Sequence, residues 1–149
     1  MQSKGLAQRV VSALRRGEGR TAALNIELRH CAEGRAEISM LATSAMSNGL
    51  GTVHGGILFT LADTAFAYAC NSRNVATVAQ AASISFLSPG RVGERMTAKA
   101  VETATNGRSG VYGVHIMGED GRMIAIFQGL SRSLGRSVID MTTGDLIDG

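Results

Sequence analysis

The chain has few of the residues that mark metal-binding, disulfide-rich or nucleic-acid-binding proteins. Its 149 residues include no tryptophan, one proline and two cysteines, and aromatic residues make up 4%. Cys31 and Cys70 show neither metal-ligand spacing nor a disulfide framework, so no metal site is expected and a reducing cytoplasm is favoured. Cys70 lies in an apolar segment and is expected to be an inert packing residue.

Long apolar runs and a strong net charge are also missing. No run approaches the roughly 18 residues of a transmembrane candidate, so we expect no membrane span. The net charge of +3 is compatible with a small anionic ligand, but charge clustering and aromatic interleaving are too weak to indicate nucleic-acid binding. The length and the 44% hydrophobic content predict one globular domain.

The most informative segment is residues 53–72, in which two glycines, Gly55 and Gly56, are followed by a predicted apolar helix. Only Thr60, Asp63 and Thr64 interrupt its apolar character before Asn71. Because a surface helix has a polar face, this helix is predicted to be buried on every side.

Alternation of apolar and polar residues predicts β-strands on both sides of this helix. The predicted strands span residues 24–29, 35–40, 77–87, 95–105, 109–117 and 122–134. Asn106-Gly107 and Asp120-Gly121 are strong hairpin signals, and Pro89 ends a strand. The predicted fold is α+β, with a long central helix wrapped by a curved antiparallel β-sheet.

The two ends of the chain differ from this domain. Residues 3–16 have the pattern of a basic amphipathic helix, within an N-terminal segment 1–18 that contains no acidic residue before Glu18. That composition is typical of a mitochondrial targeting sequence, and the alternative is that its apolar stripe docks on the domain. The domain itself is expected over residues 19–135, and the polar tail 136–149 is expected to fray.

Asp63 needs an explanation, because an isolated buried carboxylate is energetically unfavourable. One interpretation is structural, with the carboxylate bonded to Thr60 or Thr64. The other is catalytic: Gly55 and Gly56 let a substrate oxygen approach the free N–H groups at the helix N-terminus, which then act as an oxyanion hole. A carboxylate combined with oxyanion donors suits acyl transfer.

The spacing of Gly55 and Asp63 has a consequence for assembly. Eight residues separate them, which places them about 12 Å apart along a helix axis. A reacting carbonyl needs both groups within about 3.5 Å, so one helix cannot supply both. If both residues act at one site, the site is shared between two chains and a homodimer is required; the alternative is that only one of them is functional.

Two motifs in this region carry a resemblance to a known family. HGG at residues 54–56 and LADTAFAYACN at residues 61–71 resemble the hotdog-fold thioesterases of phenylacetate degradation, and the resemblance covers about residues 45–135. It implies hydrolysis of an acyl-CoA, phenylacetyl-CoA or hydroxyphenylacetyl-CoA, to the free acid and coenzyme A. No cofactor is implied, since coenzyme A is part of the substrate. Relatives often pair homodimers into a homotetramer.

The resemblance also implies roles for individual residues. Asp63 matches the catalytic carboxylate, a nucleophile or general base, and Gly55 matches the backbone donor to the thioester oxygen. His54 is expected to shape the helix entrance, and Asn48 to position the carboxylate or the water. Simpler interpretations remain open: His54 as a helix N-cap, and Asn48 as part of an Asn-Gly turn with Gly49.

Coenzyme A carries phosphates, so basic side chains and free N–H groups are expected along its path. By position in the family, the candidates are Phe86, Asn106, Arg108, Ser109 and Arg132. The alternative for each arginine is a solvated surface charge.

Two other functions remain as alternatives. A hotdog hydratase or dehydratase would pair a catalytic histidine with the acid, but His30 and His115 lie on predicted strands without an acid partner, and only His54 is near the motif. A regulatory hotdog domain would bind acyl-CoA without chemistry. The acyl group itself is not determined by the sequence.

Overall fold

The computed structural model describes residues 5–148, apart from the side chains of residues 20–22. Residues 3 and 4 of the predicted N-terminal helix lie outside this range. The helices are α1 (Leu6–Gly17), α2 (Gly19–Leu24) and α3 (Gly55–Asn71), with a 3-10 turn at Ser44–Met46. The strands are β1 (Glu27–Ala32), β2 (Arg35–Leu41), β3 (Thr77–Phe86), β4 (Arg95–Asn106), β5 (Ser109–Met117) and β6 (Met123–Ser133).

The strands form one antiparallel sheet in the order β1-β2-β4-β5-β6-β3. The predicted turns are present, since Gly107 and Gly121 adopt the positive φ angles of +61° and +81° that favour glycine. Helix α3 packs against all six strands, and α1 packs beside α3 and β1. The predicted α+β architecture, a long helix wrapped by an antiparallel sheet, is therefore confirmed.

The core lies between α3 and the sheet. Phe66 of α3 makes edge contacts with Tyr112 of β5 and Phe127 of β6. A Cβ atom on Gly129 would lie 2.7 Å from the Phe66 ring, so only glycine allows the helix to approach β6 this closely. The largest fully buried side chains are Tyr68, Phe66, Phe127, Ile38, Met40, Leu61, Met96, Ile116, Ile124 and Ile139.

The start of the sheet differs from the prediction. Residues 19–24 form α2 instead of leading into a strand at residue 24, and β1 begins at Glu27. Asn25 has a positive φ of 53°, which interrupts the extended conformation between the two elements. The apolar alternation reflects real burial, because Ile26 is buried and Leu24 and Leu28 pack against the core, but burial does not require an extended backbone.

The C-terminal tail also differs from the prediction, because it is packed rather than frayed. Val138 and Ile139 are buried in a second apolar cluster with Val10 and Ala13 of α1. Asn74 holds this segment: its Oδ1 accepts hydrogen bonds from the N–H groups of Val138 and Ile139, and its Nδ2 donates to the Ile139 carbonyl. The tail therefore packs against α1 and is hydrogen-bonded to the segment that follows α3.

Within the described residues, no helix is both long and apolar enough to cross a membrane.

Asn74 gives a test of this docking. Its φ is +62°, which glycine adopts without strain, so Asn74→Gly removes the side-chain hydrogen bonds alone. Two buried N–H groups lose their acceptor, and we expect the free energy of unfolding to fall by about 2–4 kcal/mol in urea denaturation.

The matched control is Asn25→Gly, at an exposed asparagine with a similar positive φ. It should change the free energy of unfolding by less than about 0.5 kcal/mol. Equal effects of the two substitutions would contradict the docking role of Asn74.

Candidate active site

Helix α3 begins at a capped N-terminus. His54 is the N-cap, and its Nδ1 accepts a hydrogen bond from the Gly56 N–H at 2.9 Å. The N–H groups of Ile57 and Leu58 donate to the His54 carbonyl. Gly55, the first helical residue, has no acceptor for its N–H among the described residues. His54 therefore acts as a cap, and the Gly55 amide is left available to a ligand.

A cavity of about 360 Å³ adjoins the Gly55 end of α3. Residues 86–90 form one wall, and the Phe86 ring packs directly on Gly55, where an added Cβ would lie 3.1 Å from it. Phe86 is still 54% exposed. The structure thus brings three predicted site residues together here: Gly55, Asn48 and Phe86.

Asn48 lines this cavity and also organises a turn. Its Oδ1 accepts hydrogen bonds from the N–H groups of Leu50 and Thr52, and its Nδ2 donates to the Thr52 hydroxyl at 3.0 Å. The turn interpretation of Asn48 is therefore correct. It does not exclude contact with a ligand, because one Nδ2 hydrogen has no acceptor among the described residues.

Asp63 does not have the structural role considered for it. The Thr60 hydroxyl donates to the Gly56 carbonyl at 3.0 Å, and the Thr64 hydroxyl donates to the Thr60 carbonyl at 2.7 Å. Within the described part of the chain, the Asp63 carboxylate forms no hydrogen bond or ion pair. Its partial burial raises the pKa of Asp63 above the usual range by desolvation.

Helix α3 is not buried on every side within one chain, contrary to the sequence-based expectation. Gly56, Phe59, Asp63 and Ala67 form a stripe along the helix that stays partly or fully accessible. A second cavity, of about 330 Å³, lies on this stripe and is lined by Asp63, Thr64, Ala67, Glu18 and Gly19.

Among the residues that the structure describes, none lines both cavities. A single chain therefore presents the Gly55 amide and the Asp63 carboxylate in separate places, as the helix rise requires. An arrangement in which the two act on one carbonyl needs a second chain.

The predicted coenzyme A residues are divided between different places. Arg108 and Ser109, at the β4–β5 turn, line a third cavity of about 410 Å³ at the far end of α3. Asn106 is exposed beside that turn but outside the cavity wall. Arg132 alternates with the inward-facing Ser131 and Ser133 on β6, so it points to the outer face of the sheet.

Arg73 was not anticipated and also lines this third cavity. It forms ion pairs with Glu33 and Glu102, the latter also accepting a hydrogen bond from the Tyr112 hydroxyl at 3.1 Å. Its position just after α3 gave no signal, because its partners lie in the β1–β2 turn and on β4, far away in the sequence. Among the described residues, no group of three histidine, cysteine or acidic side chains is arranged to hold a metal ion.

The architecture identifies the fold class first. A long helix wrapped by an antiparallel sheet is the hotdog fold, and the solved structure of the E. coli PaaI protein from the phenylacetic acid degradation operon superposes with a TM-score of 0.85. The match has 38% identity and covers 89% of this chain and 99% of that chain. A PaaI variant from Thermus thermophilus superposes with a TM-score of 0.75 at 33% identity, over 78% of this chain and 100% of that chain.

Sequence comparison then gives the family. The chain belongs to the thioesterase superfamily, whose model matches residues 50–125, and it is therefore a thioester hydrolase. It is 43% identical over 116 residues to the acyl-coenzyme A thioesterase PaaI of E. coli strain K12, covering 78% of this chain and 83% of the relative. The resemblance seen in the two motifs is confirmed.

The raised pKa of Asp63 gives a pH-dependent prediction. Because the folded state binds the Asp63 proton more tightly than the unfolded state, ionised Asp63 destabilises the fold above the folded pKa. This penalty disappears below the unfolded value of about 4. Asp63→Asn should therefore raise the free energy of unfolding at pH 7, and the gain should shrink as the pH falls towards 3.5, as measured by urea denaturation.

Asp140→Asn serves as the control of opposite sign. Hydrogen bonds from the Thr143 and Thr142 N–H groups lower the pKa of Asp140, so its ionised form is favoured in the fold. Asp140→Asn should not stabilise the protein at pH 7. A gain from Asp63→Asn that is constant with pH would contradict the desolvation argument.

Proposed function

We propose that the chain is an acyl-CoA thioesterase that hydrolyses small arylacetyl-CoA substrates such as phenylacetyl-CoA or hydroxyphenylacetyl-CoA. The observation that carries this proposal is that the Asp63 carboxylate and the Gly55 N–H, on one helix of a thioesterase-superfamily chain, have no hydrogen-bond partner among the described residues. The E. coli relative, named as an acyl-coenzyme A thioesterase, supports the substrate class.

In this proposal the Gly55 N–H donates a hydrogen bond to the thioester oxygen and stabilises the negative charge that develops there. Asp63 of the other subunit either attacks the carbonyl carbon or removes a proton from the attacking water. The C–S bond breaks, and the thiolate of coenzyme A takes up a proton. If Asp63 is the nucleophile, water then cleaves the anhydride between the acyl group and Asp63, which releases the free acid and restores the carboxylate. Asn48, beside Gly55, is available to orient the carboxylate or the water, and His54 holds the helix entrance in place.

The dimer that this mechanism needs is supported by β3. Within the described part of the chain it is an edge strand, paired with β6 alone. All of its residues from Val78 to Ser85 are exposed except Ile84. An exposed edge strand rich in small residues is a template for pairing with another chain. We therefore propose that two chains pair through β3. This pairing also covers the accessible stripe of α3.

A homotetramer is supported by the outer face of the sheet. Val78, Val101 and Ile126 are between 41% and 48% exposed there. Two dimers that pack back to back would cover these side chains. Arg132 belongs to the same outer face, and we propose that it and Asn106 contact the coenzyme A phosphates only if a neighbouring subunit completes their surroundings.

For coenzyme A, we propose that Arg108 and Ser109 contact the phosphate end and that Phe86 contacts the pantetheine as it approaches Gly55. Arg108 is exposed at a wide cavity, which suits a solvated phosphate partner. The free and buried thiols of Cys31 and Cys70 fit a protein of the reducing cytoplasm.

A hydratase would need a catalytic histidine close to Asp63. His30 and His115 are exposed on β1 and β5, and His54 uses its Nδ1 to cap α3. Among the described residues, no histidine lines the Asp63 cavity. The arrangement favours hydrolysis.

The catalytic roles are tested by thiol release from phenylacetyl-CoA. Asp63→Asn should lower kcat by at least about 100-fold, because amide oxygen is a poor nucleophile and base. Gly55→Pro should lower kcat by about 100- to 1,000-fold by removing the N–H donor. Proline is tolerated at the first helical position, and His54, at φ −61° and ψ 135°, already has a backbone that can precede it.

Gly55→Ala is the matched control. It places a Cβ against the Phe86 ring, as proline does, but keeps the N–H. It should retain most of the activity that Gly55→Pro loses. Wild-type activity in Asp63→Asn would remove Asp63 from the mechanism, and equal losses in Gly55→Ala and Gly55→Pro would remove the amide donor.

The shared site is tested by mixing the two inactive chains. A dimer of one Asp63→Asn chain and one Gly55→Pro chain has one intact site, formed by Asp63 of one chain and Gly55 of the other. Random reassociation of equal amounts should restore about one quarter of wild-type activity, since half of the dimers are mixed and each has one working site of two. No recovery, despite mass-spectrometric detection of mixed dimers, would place both residues in the same subunit's site.

A further inference from the structure

The cavity beside Asp63 is completed by a segment that the catalytic motifs do not include. Glu18 and Gly19, at the joint between α1 and α2, form the side of the cavity opposite α3. This joint lies outside residues 50–125, which the superfamily model matches. The wall next to the proposed catalytic carboxylate is therefore supplied by a part of the chain with no assigned role.

Glu18 is held in place by a buried side chain. The Tyr68 hydroxyl donates a hydrogen bond to the Glu18 carboxylate at 2.8 Å, and Tyr68 is fully buried in α3. Glu18 also ends α1, where its N–H donates to the Arg15 carbonyl. A flexible glutamate is thus fixed both at its backbone and at its carboxylate. Of the described residues that line the cavity, Asp63 and Glu18 are acidic.

The part of the cavity that one chain forms is large enough for a small acyl group. Its volume of about 330 Å³ lies at the lower end of the range for ligand cavities. If Asp63 acts on the thioester carbon, the acyl group or the thiol end of the pantetheine must occupy the space beside it. Coenzyme A phosphates would not approach two carboxylates, so the acyl group is the favoured occupant.

We propose that Glu18 is a specificity-determining residue whose negative charge excludes acyl groups ending in a carboxylate and selects uncharged ones. This inference rests on the proposed thioesterase function and adds the class of acyl group accepted. A substrate carboxylate entering the cavity would face like charge in a partly desolvated place, which is unfavourable. The same repulsion acts on the free acid produced by hydrolysis and favours its departure.

The test compares phenylacetyl-CoA with 4-carboxyphenylacetyl-CoA, which differ by one ring carboxylate, in a thiol-release assay. Glu18→Gln keeps an oxygen that can accept the Tyr68 hydrogen bond but removes the charge. We expect wild type to prefer phenylacetyl-CoA, and Glu18→Gln to narrow the ratio of the two kcat/KM values by about tenfold or more. Inhibition by free phenylacetate should strengthen in the same variant.

Two control variants separate this role from general charge and from structure. Glu18→Asp keeps the charge and should keep the preference. Glu37→Gln removes a charge from the outer face of the sheet, where Glu37 pairs with Lys99. It should change neither the ratio of the two kcat/KM values nor the inhibition by phenylacetate. Equal thermal unfolding midpoints would show that all variants are folded.

The outcomes distinguish this inference from the function on which it rests. Wild type that releases no coenzyme A from phenylacetyl-CoA would overturn the proposed function. Wild type that is active on phenylacetyl-CoA, with a ratio unchanged by Glu18→Gln, would overturn the role of Glu18 and leave the thioesterase proposal intact.

Discussion

The rise of an α-helix is the constraint on which the rest of this molecule depends. Gly55 and Asp63 belong to the same helix, and its rise of 1.5 Å per residue keeps them about 12 Å apart, independently of how the sheet packs around the helix. The structure shows the consequence: each residue borders its own cavity. On the proposed mechanism, the accessible stripe of α3 and the unpaired edge of β3 are the surfaces through which a second chain completes the site.

On the proposed roles, Asp63 also shows where folding stability is given up for catalysis. Asp63 is partly buried without a hydrogen-bond partner in the described chain, and desolvation raises its pKa. Glu94 behaves differently, although burial also acts to raise the pKa of its carboxyl group. Hydrogen bonds from the Arg91 N–H, the Arg122 guanidinium and the Glu119 N–H outweigh this and lower the pKa of Glu94. The buried carboxylate of Glu94 thus has its charge compensated by hydrogen bonds, whereas the partly buried carboxylate of Asp63 does not.

Local signals in the sequence predicted most of the fold. The strands after α3 begin and end within one residue of the prediction, because alternation and Asn-Gly or Asp-Gly turns act over a few residues. The segment between α1 and β1 was less well predicted: α2 was not anticipated and β1 begins at Glu27, since the positive φ of Asn25 depends on its surroundings. The prediction that the C-terminal tail frays was wrong for a similar reason. Val138 and Ile139 are held by hydrogen bonds to Asn74, which lies more than 60 residues earlier.

The candidate site was predictable only as far as its motif extends. The glycines, the cap and the acid of α3 are contiguous, so their spacing could be used directly. No local motif marks Arg73 or Glu18. Arg73 pairs with residues that are distant in the sequence, and Glu18 borders its cavity from the joint between α1 and α2. Their contribution comes from tertiary packing alone.

This division has a consequence for how specificity arises. The segment matched by the superfamily, residues 50–125, contains both Gly55 and Asp63, whereas the opposite wall of the Asp63 cavity is supplied by Glu18 and Gly19. A change at the α1–α2 joint can therefore alter the charge and shape of the cavity without moving α3. On the proposed roles, the reaction is fixed by one helix and the choice of acyl group by a helix joint that packs beside it, which allows the two properties to vary separately.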